Sequence, residues 1–148
     1  MSIKKIDLSD KTLANQLLAV SLLAYKEESK IINYPQLPPL KENVVELMQS
    51  KTDFFGCFCG EKLVGAIELE SKNSAIWICR LVVRPDYFQQ GIASKLLAKI
   101  LDDHATFFVG TAEKNRPAIN LYTKFGFYYK ETKVVGLPPI HWNIYCRH

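Results

Sequence analysis

The stretch Ile76–Leu97 constrains this chain more than any other. Ile76-Trp77-Ile78-Cys79-Arg80-Leu81-Val82-Val83 is rich in β-branched and aromatic residues and reads as a strand. Pro85 ends it, because proline has no N–H to give a sheet neighbour. A short polar turn leads to Gly91, after which Ile92, Leu96, Leu97, Ile100 and Leu101 recur at helical spacing, with Lys95, Lys99 and Asp103 off that face. The first four N–H groups of a helix have no acceptor inside it, and the aligned peptide dipoles place roughly half a positive charge there. Gln89, Gln90, Ile92, Ala93 and Ser94 would offer N–H groups to a phosphate or pyrophosphate, and Gly91, without a Cβ, lets such a ligand come close. An ordinary strand-to-helix turn has the same pattern. The segment is neither a P-loop nor a dinucleotide fingerprint, since a single glycine stands alone in it.

Around this unit the chain alternates short strands and amphipathic helices. Ile3 to Leu8 is a candidate first strand, and Ser9 or Asp10 a helix cap. Leu13, Leu17, Val20 and Ala24 then share one face of a helix expected to end near Lys26 to Ser29. Ile31 to Pro39 holds three prolines and reads as a stiff, apolar connection, followed by a short helix from Pro39 to about Gln49. Two strand-like runs, 54–59 and 63–70, flank Gly60-Glu61-Lys62 as a hairpin, and the strand at 75–83 extends it to a meander. A short strand at 105–111, a helix at 117–125 capped by Asn115 and closed by Gly126, and strands at 127–130 and 140–146 complete the order β α α β β β α β α β β.

Composition narrows the function classes. At 148 residues the chain is most economically one domain, 1–148, able to bury about two-thirds of its unfolded surface. No apolar run approaches the roughly 20 residues that span a bilayer, and Met1-Ser2-Ile3-Lys4-Lys5 leads into Asp7 and Asp10 rather than an apolar signal core, so a cytoplasmic protein is expected, with no membrane partner. The net charge of +4 is scattered along the chain and gives nucleic-acid binding little support. Cys57, Cys59, Cys79 and Cys146 have no metal-ligand spacing, and free, buried, reduced thiols are expected. No metal is called for.

Leu81-Val82-Val83-Arg84-Pro85-Asp86-Tyr87-Phe88-Gln89-Gln90-Gly91-Ile92-Ala93 resembles the acetyl-CoA-binding segment of the GCN5-related N-acetyltransferase (GNAT) superfamily. Asn115-Arg116-Pro117-Ala118-Ile119-Asn120-Leu121-Tyr122-Thr123-Lys124-Phe125-Gly126-Phe127 is similar to that family's second block, in the expected order. Two positions depart from the pattern: Phe88 stands where Arg or Gln is usual, and Gln89 where glycine is common. The resemblance covers nearly the whole chain. It implies an α/β (α+β) fold, a mixed, mostly antiparallel sheet of six to seven strands with helices on both faces and a splayed central strand pair.

The resemblance also implies an activity, transfer of an acetyl group from acetyl-CoA to a primary amine by direct attack in a ternary complex. A non-catalytic acyl-CoA-binding domain and transfer of another acyl group are the alternatives. The pantetheine arm would lie along Leu81, Val82 and Val83, the pyrophosphate would meet residues 89–94, and the backbone N–H of Val83 would serve the developing oxyanion. Tyr122 takes the position of the general acid for the departing sulfur, and Asn115 would hydrogen-bond the cofactor or cap its helix. A small-molecule or peptide amine is the implied acceptor, with Tyr25, Ile32 and Tyr34 as candidate contacts. The general base stays open among Glu68, Glu70, His141 and water, since Trp77-Ile78-Cys79-Arg80 has no carboxylate where protein-lysine-modifying members carry one. The aromatic carboxyl-terminal strand is a candidate homodimer contact.

Overall fold

Seven segments pair into one sheet in the computed structural model, which describes residues 1–148. They are β1 (Ser2–Lys5), β2 (Asp53–Cys59), β3 (Lys62–Lys72), β4 (Ala75–Val83), β5 (Phe107–Ala112), β6 (Tyr128–Val135) and β7 (Ile140–Arg147), ordered β1-β2-β3-β4-β5-β7-β6 across the sheet. Every neighbouring pair is antiparallel except β4 and β5, which are parallel. Helices α1 (Lys11–Ile32) and α2 (Val44–Met48) cover one face, and α3 (Ile92–Ile100) and α4 (Arg116–Lys124) the other. This is the fold class expected from the sequence. No helix is long and apolar enough to cross a membrane.

The two faces have separate cores because successive strand residues point to opposite sides. Val64, Ile67, Ile78, Phe107 and Val109 meet Ile92, Leu96 and Leu97 of α3 and Ile119 and Tyr122 of α4. On the other side Phe54, Leu63, Ala66 and Val82 meet Leu17 and Val20 of α1 and Leu47 of α2. A third cluster of Ile32, Tyr34, Leu37 and Ala112 seals the sheet beyond the end of α1.

Helix α1 runs further than its sequence suggests. Asp10 caps its start through Thr12 and Leu13, and its end comes at Asn33, in the left-handed conformation at φ 53°, where the Tyr34 N–H reaches back to the Ser29 carbonyl at 3.0 Å. The helix therefore continues to Ile32 instead of stopping near Lys26 to Ser29. The helix expected over Pro39 to Gln49 is divided into a 3-10 turn at Pro38–Lys41 and α2. Asn43 and Glu46 form a reciprocal capping box at the break, with bonds of 2.9 and 3.1 Å.

The structure corrects the reading of the cysteines. All four are free, but only Cys57 and Cys146 are buried, while Cys59 and Cys79 are exposed. The register shift between Cys57 and Phe58 leaves Val64 of β3 as the extra residue, and Cys59 is exposed because it ends β2 beside the hairpin turn, paired with Lys62. A second shift leaves Cys79 without a partner, since Glu68 pairs with Arg80 and Leu69 with Ile78. Strand β7 lies inside the sheet between β5 and β6, so its edges are both paired and the free edge belongs to β6.

One buried ionic cluster ties α1, the connection after it and the sheet together. The Arg80 guanidinium donates to Glu68 Oε1 at 2.9 Å, to Glu42 at 2.7 and 3.0 Å, and to Ser21 Oγ at 2.9 Å, and it stacks over the Phe54 ring at 5.3 Å. Thr52 Oγ1 donates to the second Glu68 oxygen at 2.8 Å. Removing one partner from such a cluster leaves carboxylates buried without a counter-charge, at a cost of about 3–5 kcal/mol. Arg80→Leu should lose stability of about that size in urea unfolding at neutral pH. A loss below about 1 kcal/mol would contradict this account of the cluster.

Candidate active site

The β4–β5 ladder is short. It pairs Ile76 with Phe107, Trp77 with Phe108 and Ile78 with Val109, and stops. Strand β4 nevertheless continues to Val83 and β5 to Ala112, each held by its outer neighbour, β3 and β7. The unpaired Cys79 lies where the two strands begin to part, and a bulge bends and twists the strand that carries it. Beyond Ile78, β4 and β5 face each other with alternating backbone donors and acceptors that they do not exchange.

The start of α3 lies beside the mouth of this gap. Side chains cap the other three α-helices, through Asp10, Asn43 and Asn115, but Gly91 gives α3 no side-chain cap. The first intrahelical bond runs from Lys95 N–H to the Gly91 carbonyl at 2.9 Å, so Ile92, Ala93 and Ser94 keep N–H groups with no helical acceptor. Gly91 sits at φ 72°, and a Cβ built on it meets no protein atom within 4 Å. Backbone conformation and outside access, rather than packing, therefore favour glycine here. Gln89 also has a positive φ, 63°, at the position where a glycine is common in the motif it resembles.

A cavity of about 440 Å³ runs from these amides into the gap. Leu81, Val82, Val83, Gln89, Gly91, Ile92, Ala93, Ser94, Asn115 and Tyr122 all line it. Among the residues singled out in the sequence for binding the cofactor or protonating its sulfur, Gln90 alone does not; it lies exposed in the turn before α3. Asn115 is buried and starts α4, its side chain accepting from Ala118 N–H at 3.4 Å and donating to Thr111 Oγ1 at 3.2 Å. Tyr122, about two turns further on, is 5% exposed and packs edge-on to Phe127 at 5.5 Å. Burial, reinforced by the charge of Glu28, holds its phenol above the usual tyrosine range, so it is a proton donor at neutral pH.

The candidate bases fare differently. Glu68 is buried but held by Arg80 and Thr52, while Glu70 and His141 are exposed and line no part of the cavity. Tyr25 does line it, whereas Ile32 and Tyr34 belong to the third core cluster, the Tyr34 hydroxyl donating to the Pro138 carbonyl at 2.8 Å. A cysteine nucleophile finds no support, because none of the four thiols lines the cavity.

Sequence reasoning missed Glu28. It lies in the last third of α1, lines the cavity with Tyr25 and Tyr122, and burial pushes its carboxyl up to about 7. None of the seven ion pairs in the fold uses it. A signal was present: Ala14, Leu17, Ser21, Glu28 and Ile32 fall on one helical stripe, in which an acidic residue is out of place.

Residues 20–127 match the family model described as Acetyltransferase (GNAT) family. This chain belongs to the GNAT acetyltransferase family. A curated relative of this GNAT chain, the UPF0157 protein YqkA of Bacillus subtilis (strain 168), is 41% identical over 124 residues, which is 82% of this chain. The chain spans only about a third of that relative's length, 36%. The GNAT fold is shared with the ribosomal-protein-S18-alanine N-acetyltransferase of Escherichia coli, at TM-score 0.76 and 16% identity over 99% of this chain and 92% of that one. An aminoglycoside 6'-N-acetyltransferase complexed with coenzyme A superposes at TM-score 0.75 and 16% identity over 99% and 96% of the two chains. The PaiA N-acetyltransferase of Thermoplasma acidophilum, also in complex with coenzyme A, does so at 0.63 and 21%, over 99% of each.

Glu28 gives the GNAT cavity a pH signature in stability. Its carboxyl binds a proton more tightly folded, at about 7, than at the ordinary 4.5. Its contribution to stability is therefore full below about pH 4.5 and is lost as pH rises through 7. Glu28→Gln should remove this loss, making the variant more stable than the parent by on the order of 2 kcal/mol at pH 8 and nearly equal to it at pH 4.5. Urea unfolding at the two pH values measures the difference, and a variant that tracks the parent at both would refute a carboxyl desolvated in the cavity wall.

Proposed function

We propose that this chain is an acetyl-CoA-dependent N-acetyltransferase that passes the acetyl group to a primary amine by direct attack, with both substrates bound together. The observation that carries the reading is one continuous cavity joining the uncapped amides of α3, the unpaired edge of β4 and the Tyr122 side chain. Its lining suits a carrier with a diphosphate at one end and a thioester at the other. Family membership and the coenzyme A complexes of two proteins with this fold support it.

Each part of the chain has a role in this reading. The N–H groups of Ile92, Ala93 and Ser94 bind the diphosphate, with Gly91 and the backbone at Gln89 and Gln90 letting it approach. Leu81, Val82 and Val83 present the strand edge on which the amides of the pantetheine arm pair. The Val83 N–H serves the carbonyl oxygen as negative charge grows there, in a gap whose apolar walls strengthen the interaction. Tyr122 gives its proton to the sulfur as the carbon–sulfur bond breaks, and Asn115 fixes the start of the helix that carries it. We place the reaction in the cytoplasm, a compartment that keeps four free thiols reduced.

The test is release of free thiol from acetyl-CoA in the presence of pooled polyamines, amino acids, aminoglycosides and lysine peptides. Stabilisation of the fold by acetyl-CoA together with amine-dependent thiol release supports the reading; stabilisation without turnover on any amine favours a binding domain. Tyr122→Phe should lower kcat by about 10²-fold or more with little change in acetyl-CoA affinity, the pattern of a lost proton donor. Unchanged kcat in that variant would remove Tyr122 from the chemistry.

A further inference from the structure

The charged side chains that line the cavity are all acidic. Among its lining side chains Glu27 and Glu28 are ionisable acids, and no lysine, arginine or histidine is present. Glu27 lies beside Lys30 at 3.2 Å, whereas Glu28 has no cationic partner. The groups that face Glu28 are phenols, Tyr25 from its own helix and Tyr122 from α4, both of which feel its charge. The guanidinium on the neighbouring strand, Arg80, is held by Glu42 and Glu68. A carboxylate removed from water without a counter-ion is costly, and the cost is relieved by a cation from outside.

The two sides of the gap are also chemically distinct. Helix α1 packs on the sheet face that carries Val82, and α4 on the face that carries Ile78 and Val109. Glu28 and Tyr122 therefore enter one cavity from opposite sides of the split sheet. Such a placement separates a proton acceptor from a proton donor across the reacting centre.

Resting on the transferase reading above, we propose that Glu28 receives the acceptor as an ammonium ion and takes its proton, which makes the acceptor a cationic primary amine with no carboxylate beside the reacting nitrogen. The ammonium passes one proton to the Glu28 carboxylate, and the freed nitrogen lone pair forms the new bond to the thioester carbonyl carbon. As the carbon–sulfur bond breaks, its electron pair goes to sulfur, which takes the Tyr122 proton. The second nitrogen proton then returns to the Tyr122 oxygen, leaving amide and free thiol. Glu28 gives its proton to solvent, so one proton is released per turnover. A carboxyl that titrates near neutrality suits this role, because it is ionised when the amine arrives and still basic enough to accept a proton.

The pH dependence of kcat/KM on the full chain tests this, with a diamine and an α-amino acid as acceptors. In the parent, kcat/KM for the diamine should rise to about pH 7 and then level off, because the productive pair is the Glu28 carboxylate and the ammonium form of the amine. Glu28→Gln should lower kcat/KM at pH 8 by about 10²-fold or more and make it climb with unit slope toward the pKa of the amine, about 10, since only amine already neutral in solution then reacts. Acetyl-CoA affinity should be unchanged, and the α-amino acid should be the poorer acceptor. A Gln variant with the parent's kcat/KM and profile overturns the proposal and leaves the transferase reading standing. So does a parent profile with no break near pH 7, a result that needs no variant to fold. If the parent binds acetyl-CoA but acetylates neither the diamine nor any other amine, the transferase reading falls and the role of Glu28 falls with it.

Discussion

The structure depends on a hydrogen-bond ladder that stops early. Strands β4 and β5 begin as a parallel pair and part after Ile78 and Val109, yet each continues because an antiparallel neighbour holds its far side. Unpaired strand edges are usually a liability in a sheet. Here they lie inside the molecule, walled by α1 on one face and by α3 and α4 on the other, so they are open to a ligand that enters the cavity rather than to another chain's strand. The opening of the gap and the uncapped start of α3 follow from one short stretch of sequence, in which Pro85 ends the strand and Gly91 begins the helix with no side chain to occupy its donors.

A gap in a sheet needs its walls fixed, and charge does this on the α1 side. Arg80 is the first β4 residue past the bulge at Cys79, and its guanidinium holds Ser21 of α1, Glu42 from the connection after it and Glu68 of β3 in one buried cluster. An apolar side chain at position 80 could fill space there, but only a forked donor can hold three elements in a defined arrangement. Because Arg80 is committed to Glu42 and Glu68, Glu28, about two turns beyond Ser21 on the same stripe of α1, is left as the free carboxyl of the cavity. The same cluster that stabilises the wall thus determines which acid faces the gap.

Much of this was legible in the sequence, and the parts that were not have physical reasons. The strand–proline–turn–glycine–helix unit and the Asn115 to Phe127 block are local patterns, so the sheet and its splayed pair follow from them, and ten of the eleven residues read for the cofactor and its sulfur line one cavity. Gln90 was the exception, because successive residues of a tight turn point in different directions. Helix α1 was cut short since Ile31 and Ile32 resemble the apolar connection that follows, and the stop lies in Asn33, whose tolerance of positive φ is easily overlooked. That shortening hid Glu28. Cys79 was misplaced because the bulge that leaves it unpaired makes no mark in composition, and Glu68 was kept as a candidate base because its partners Arg80 and Thr52 are distant in the chain.

The central claim is that backbone amides at the start of α3 hold a diphosphate. The most direct measurement follows the ¹⁵N-labelled amide signals of Ile92, Ala93 and Ser94 while coenzyme A, and separately pantetheine, which has no diphosphate, is added to the protein. The account predicts large, saturable shifts at these three amides with coenzyme A and much smaller ones with pantetheine, while Leu81 to Val83 respond to both. Equal responses of the α3 amides to the two ligands, or none to coenzyme A, would contradict it.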